Sequence, residues 1–264
     1  NLGSTYKEME AYDAAADCFV TVIEQNPKDV LAYNHLGKIR ALSDNHDLAI
    51  KAYQQGLTVD PNHPILHYNL GISLETLKRY KEAIAEYQAA LKTKPGWFDA
   101  MKSLANVYET LEMKDAALAQ WTQILLHTPE NVEALTRKGR LLLSANKPDQ
   151  AIALYQKAIS IDPSFIPAVL SLESLLEDQL EYERALKELK RVNKLFPQNQ
   201  EVLLAMGKLY LKTEDYPEAR TALLSILEKD RKNIPALKTL AQLYIKTGNL
   251  NTAQKCFKRI LSLA

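Results

Sequence analysis

The chain is poor in most of what catalysis at an enclosed site draws on. Of its 264 residues, two are cysteine, two tryptophan, five histidine and eight glycine. Cys18 and Cys256 fall at equivalent places near opposite ends of a repeating pattern, so no internal disulfide is expected and a reducing compartment suits them. Neither has a histidine close in sequence, which leaves a thiol nucleophile without a base. The glycines assemble neither G-x-x-x-x-G-K nor G-x-G-x-x-G, so phosphate cradles are missing. No run approaches the roughly 18 uninterrupted apolar residues of a membrane-spanning helix. His63 and His67 have the four-residue spacing that puts two imidazoles on one helix face. No acidic or cysteine ligand follows them locally, so a packed histidine is expected rather than a metal ligand. Glu177 and Asp178 adjoin on a helix and point apart, a poor acid/base pair. The net charge of +1 offers no dominant sign to nucleic acid. No cofactor, no metal and no enzymatic activity are expected.

What the chain does have is a period. Alanine recurs at 15, 49, 83, 117, 151, 185, 219 and 253, every 34 residues without a slip. Proline keeps the same beat at 27, 61, 95, 129, 163 and 197, and only Arg231 breaks it. Such strictness means one supersecondary unit copied and stacked. Twelve residues before each alanine lies Gly3, Gly37, Gly71, Ala105, Gly139, Glu173, Gly207 or Ala241. Four residues after it lies Phe19, Tyr53, Tyr87, Trp121, Tyr155, Leu189, Leu223 or Phe257. A small residue lets two helix backbones approach, and a ring fills the space beside it. Ala32, Leu36 and Ile39, then Ala49, Ile50, Tyr53 and Leu57, are spaced for two helices around the polar break Ser43–Asp47. Polar residues ahead of Pro64, Pro217 and Pro235 mark helix starts, and Asn26-Pro27, Asp60-Pro61 and Asp162-Pro163 mark helix ends. Each unit is therefore helix, turn, helix, turn. Solenoids grow by adding neighbours, so the length does not require two domains.

Leu70-Gly71, Tyr80-Lys81-Glu82-Ala83-Ile84, Tyr87, Ala90 and Pro95 resemble the tetratricopeptide repeat, and the resemblance covers the whole chain in eight copies. Departures are Glu173 for the small residue, Leu189 and Leu223 for the ring, Lys138 for a leucine, and Asn193 where an apolar residue is usual. The resemblance implies an all-α, right-handed superhelical α-solenoid over 1–264. Its repeats fall at 1–29 (incomplete), 30–63, 64–97, 98–131, 132–165, 166–199, 200–233 and 234–264. The bare first and last repeats suggest a segment of a longer protein.

The resemblance also implies that first helices line a concave groove for a partner's peptide or helix. The groove residues expected to bind are Tyr68, Asn69, Lys102, Asn106, Arg137, Arg140, Lys208, Lys238 and Gln242. Glu75, Glu109, Glu177, Lys212, Thr239 and Lys246 are expected beside them. Lys102, Asn106, Arg137 and Arg140 would form a cationic, hydrogen-bonding floor. Lys102 and Asn106 match the opening pair of the family's clamp for chaperone C-terminal carboxylates. Arg137, Pro167 and Ser171 do not complete it, so chaperone-tail binding is not expected. The column Asn1, His35, Asn69, Ser103, Arg137, Ser171, Ala205, Thr239 lacks the asparagine ladder of the repeats on the nucleocytoplasmic sugar transferase.

Charge is uneven: residues 185–264 hold 15 Lys/Arg against 7 Asp/Glu, whereas 166–183 hold five acids and no base. Together these features imply a protein-interaction scaffold whose partner is a protein or peptide, with an acidic one suiting the basic end. The alternatives are a recruiting arm of a larger enzyme such as a glycosyltransferase, and a component that self-associates through its uncapped last repeat. Nucleic acid and direct membrane insertion are not expected. The cytoplasm is the expected compartment, with periplasmic or membrane-tethered placement left open.

Overall fold

The computed structural model describes residues 2–263, with side chains from Ala11 onward. Every element among them is a helix or a turn, and two compact units are delimited, residues 1–129 and 130–264. The first holds α1 (Leu2–Gln25), α2 (Val30–Leu42), α3 (His46–Val59), α4 (Pro64–Thr76), α5 (Tyr80–Thr93), α6 (Phe98–Thr110) and α7 (Lys114–His127). The second holds α8 (Val132–Ser144), α9 (Pro148–Ile161), α10 (Ile166–Asp178), α11 (Tyr182–Leu195), α12 (Gln200–Lys212), α13 (Tyr216–Lys229), α14 (Ile234–Lys246) and α15 (Leu250–Leu261). Within each unit a first helix packs on its own second helix and on the second helix preceding it. This is the α-solenoid arrangement of stacked helix pairs.

The 34-residue columns become the packing rule. A Cβ built on Gly37 would lie 2.3 Å from the Tyr53 ring, on Gly71 2.6 Å from Tyr87, and on Gly139 2.5 Å from Tyr155. Each ring thus lies flat on bare backbone, and Tyr87, Trp121 and Tyr155 are fully buried. In the later pair the counterpart of Gly207 is Leu223, with the nearest methyl carbon 2.9 Å away. The alanines from Ala49 to Ala219 are sealed, and Ala253 is nearly so.

Helix starts follow short polar side chains. Asp29 Oδ1 accepts from the amides of Leu31 and Ala32 at 3.0 Å, and Asn131 and Asn233 accept from the third amide onward. Ahead of α4 the cap is His63, whose Nδ1 accepts from the Leu66 amide at 3.3 Å. Asp60 and Asp162 close α3 and α9, as the following prolines require.

The turn inside each pair is built the same way seven times. Asp44, Lys78, Glu112, Asn146, Leu180, Glu214 and Gly248, again 34 apart, all have φ between 55° and 76°. In every case the next residue's amide donates back to the carbonyl five positions earlier, from Asn45 to Arg40 through Asn249 to Tyr244, at 2.8–3.0 Å. That bond and the left-handed residue define a Schellman ending. Six of the seven residues are not glycine and pay about 1–2 kcal/mol each for this conformation.

Two expectations do not hold. The first repeat contains no turn: α1 runs unbroken from Leu2 to Gln25. Glu8-Met9-Glu10-Ala11 are strong helix formers, and Ala11 stands where Asn45 and Asn249 cap later helices. Ala16, not Ala15, is then the buried alanine, and Phe19 stacks on exposed His35 with ring centroids 5.1 Å apart. At the other end Phe257 is 43% exposed, and Cys256 instead joins the core of Leu223, Leu237, Leu240 and Ala241. No further first helix covers α15 among the described residues. Gly3 and Asn1, the opening members of their columns, lie outside the residues whose side chains are described.

Candidate partner-binding faces

On the first unit, α4 and α6 present Tyr68, Asn69, Lys102 and Asn106, all half-buried. The Tyr68 ring tilts against Trp97 with centroids 4.6 Å apart and against Tyr87 at 5.9 Å. Burial raises the Tyr68 hydroxyl's pKa, Asp99 and Glu75 add to the rise, and a hydrogen bond with Ser103 and the nearby Lys102 charge oppose it. Asn69 is already engaged, its Nδ2 donating to Oδ1 of buried Asn34 at 2.8 Å. Lys94 Nζ lies 4.6 Å above the Trp97 ring.

Glu75 and Glu109, expected in the groove, also take part in the packing. Tyr87 donates its hydroxyl proton to Glu75 Oε2 and Trp121 donates Nε1–H to Glu109 Oε1, both at 2.6 Å. Each acceptor precedes its donor by twelve residues. The same place before Tyr155 is held by Leu143, and the Tyr155 hydroxyl is buried with no hydrogen-bond partner among the described residues. Burial pushes that hydroxyl up to about 12, with Arg140 pulling the other way.

His67 is likewise a structural residue. Its Nδ1 lies 2.6 Å from Glu86 Oε2 and its Nε2 lies 3.0 Å from the Pro61 carbonyl. With His63 capping α4, both imidazoles have positions in the scaffold. No group of three or more metal-ligating side chains gathers among the described residues.

Lys102 and Asn106 belong to the first unit, and Arg137 and Arg140 to the second. On α8, Arg137 is half-buried and Arg140 exposed. Further along the second unit, α10, α12 and α14 enclose a groove of about 610 Å³. It is lined by Glu177 from α10, by Lys208, Leu211 and Lys212 from α12, and by Thr239, Gln242, Ile245 and Lys246 from α14. Lys208 and Gln242 are thus brought together, while Lys238 is exposed on α14 outside the lining. Thr239 is buried and donates to the Pro235 carbonyl at 3.0 Å.

Behind this groove the small-residue column is broken by Glu173, and sixteen residues on the ring is replaced by fully buried Leu189. The half-buried Glu173 carboxyl is pushed up to about 7, chiefly by burial, then by the charge of Glu177 and a hydrogen bond with it. Lys208 and Lys212 pull it down. Lys212 Nζ is paired with Glu177 Oε1. Sequence reasoning missed Leu211 and Ile245 as groove residues. Both stand four places past the small-residue column, exactly the place of Glu75, Glu109 and Glu177, and that equivalence was the available signal.

A larger hollow of about 930 Å³ runs along the second helix α11. Its charges answer one another, Glu188 lying 3.7 Å from Arg191, and Arg184 is paired at 3.0 Å with Glu181 just before the helix. Isolated surface pairs of this kind are worth about 0–1 kcal/mol, which makes this a solvated face.

Models of the tetratricopeptide repeat match residues 1–58, 40–97, 132–165, 178–240 and 235–264. Over 72 residues the chain is 39% identical to the peroxisomal targeting signal receptor of Kluyveromyces lactis, a stretch covering 27% of this chain and 13% of that receptor. The chain thus spans a small part of the curated relatives it matches. A tetratricopeptide repeat protein from Parabacteroides merdae superimposes with a TM-score of 0.62 at 16% identity, over 93% of each chain. YrrB, described as a TPR protein with an unusual peptide-binding site, superimposes with a TM-score of 0.58 at 22% identity, over 72% of this chain and 97% of YrrB. At these identities the superpositions establish the fold.

Proposed function

Because the chain belongs to the tetratricopeptide repeat family, we propose that it is a non-catalytic interaction scaffold that holds a peptide or helix of a partner protein against its first helices. The observation carrying this reading is a division of labour along each helix pair. The small and ring columns are consumed by packing, while Lys208, Gln242, Lys246 and Arg140 on first helices stay exposed and unneeded by it. Supporting it, the K. lactis relative is named a targeting-signal receptor and YrrB is described as peptide-binding. Both cysteines are free, which suits the cytoplasm, and no described helix is long and apolar enough to cross a membrane.

Hydroxyl-radical footprinting of the chain with its captured partner tests the assignment. Protection should concentrate on α8, α12 and α14, and Arg137→Glu with Arg140→Glu should weaken capture while far-UV circular dichroism is kept. Protection confined to α9, α11 and α13 would overturn it.

A second reading, self-association, is favoured by α15, where Leu250 is 64% and Leu261 75% exposed beside Phe257. Light scattering that gives one monomer mass at all concentrations rejects it.

A further inference from the structure

The groove of the second unit has walls of different chemistry. On the α10 side, Glu177 is answered within the chain by Lys212. On the α14 side, the lining offers the Lys246 ammonium and the Gln242 amide, both exposed, and no carboxylate. Lys208 is exposed between them, and Leu211 with the half-exposed Ile245 gives an aliphatic floor. Glu173, the other acid nearby, lies outside the lining, and burial and the neighbouring Glu177 push it up to about 7, so it carries only part of a negative charge at neutral pH. Beyond the Glu177–Lys212 pair, two ammonium groups, Lys208 and Lys246, therefore face the groove with no carboxylate of the lining to answer them.

We propose that this groove receives an extended acidic segment of the partner, with an aliphatic side chain over Leu211 and Ile245 and a nearby carboxylate held by Lys208 and Lys246. The inference rests on the scaffold reading and narrows it to one face and one ligand chemistry. Ammonium–carboxylate hydrogen bonds are the strong ones in a partly desolvated site, and the Gln242 amide can both donate to and accept from an extended backbone. A basic segment would meet Lys208 and Lys246 unscreened and would have to break the Glu177–Lys212 pair.

The test is selection of displayed random decapeptides on the whole chain, followed by fluorescence anisotropy on the synthetic winners. Winners should carry Asp or Glu beside Leu, Ile or Val, and their affinity should fall with salt. Lys208→Glu or Lys246→Glu should each weaken them by roughly tenfold or more, the scale of losing one partner of a close charge pair. Glu177→Gln releases Lys212 and should tighten them severalfold, whereas it would weaken a basic ligand. Winners rich in Lys or Arg, or indifferent to all three substitutions, overturn the acidic assignment and leave the scaffold reading in place. No winner that protects a first helix overturns both.

Discussion

Tyr87 and Tyr155 occupy equivalent places two repeats apart, and replacement by phenylalanine should act on them with opposite sign. Both rings are fully buried on a glycine backbone, so the ring packing is common to the two sites. They differ at the hydroxyl. Tyr87 donates to Glu75 at 2.6 Å, and a hydrogen bond to a charged group is worth about 1.5–3 kcal/mol. Half-buried Glu75 regains water once the donor is gone, so Tyr87→Phe should cost about 1–2 kcal/mol. The Tyr155 hydroxyl is sealed from solvent without a partner among the described residues. A buried unsatisfied group carries a penalty of about 1–3 kcal/mol, and Tyr155→Phe should recover about 1 kcal/mol of it. Leu143→Glu then installs the missing acceptor at the twelve-residue offset, and in that background Tyr155→Phe should become costly. Urea titration measures each variant. Trp97 and Trp121 both lie in the first unit, so fluorescence follows the surroundings of Tyr87, and circular dichroism follows the whole chain. If Tyr155→Phe costs as much as Tyr87→Phe, or ignores Leu143→Glu, the hydroxyl account is wrong.

Gly71→Ala should cost about 1–3 kcal/mol, because its methyl meets a flat ring at 2.6 Å, while Gly207→Ala should cost less, because its nearest neighbours, Cγ and Cδ2 of Leu223, stand farther off at 2.9 Å; equal losses in urea melts would refute this. Leu180→Gly should stabilise by about 1 kcal/mol, since Leu180 is 70% exposed and held at φ 61°, with glycine's greater freedom when unfolded offsetting part of the gain; a lower melting temperature would count against it. The raised pKa of Glu173 means its contribution to stability is complete below the ordinary glutamate value of 4.5 and lost as pH rises through about 7. Glu173→Gln should therefore shrink the drop in melting temperature between about pH 5 and about pH 8, and an unchanged drop would exclude the linkage.

The fold was legible because its determinants are local and repeated. Alanine, glycine and ring columns fall at fixed offsets, and the sixteen-residue step from glycine to ring becomes a close contact at Gly37–Tyr53, Gly71–Tyr87 and Gly139–Tyr155. Legibility failed where a neighbour is missing or replaced. Phe19 and Phe257 carry the ring signal, yet among the described residues Phe19 stacks on exposed His35 and Phe257 is left partly exposed, and Ala11 cannot cap where Asn45 does. The first-helix faces were legible as positions but not as chemistry. Glu75 and Glu177 hold the same column, yet one accepts from a buried tyrosine and the other pairs with Lys212, according to what stands twelve residues later or one repeat on. The left-handed residue of each turn escaped notice because aspartate, lysine, glutamate, asparagine and leucine share its column with a single glycine.

Those seven identical turns have a consequence for how such a chain can change. Each hairpin closes through the same backbone hydrogen bond, which forms with aspartate, lysine, glutamate, asparagine, leucine or glycine at its tip. A genetic crossover between any two of these sites would join helix to helix in correct phase, adding or removing whole 34-residue blocks without inventing a loop. Lengthening or trimming the stack is therefore a cheaper evolutionary step than reshaping a single copy.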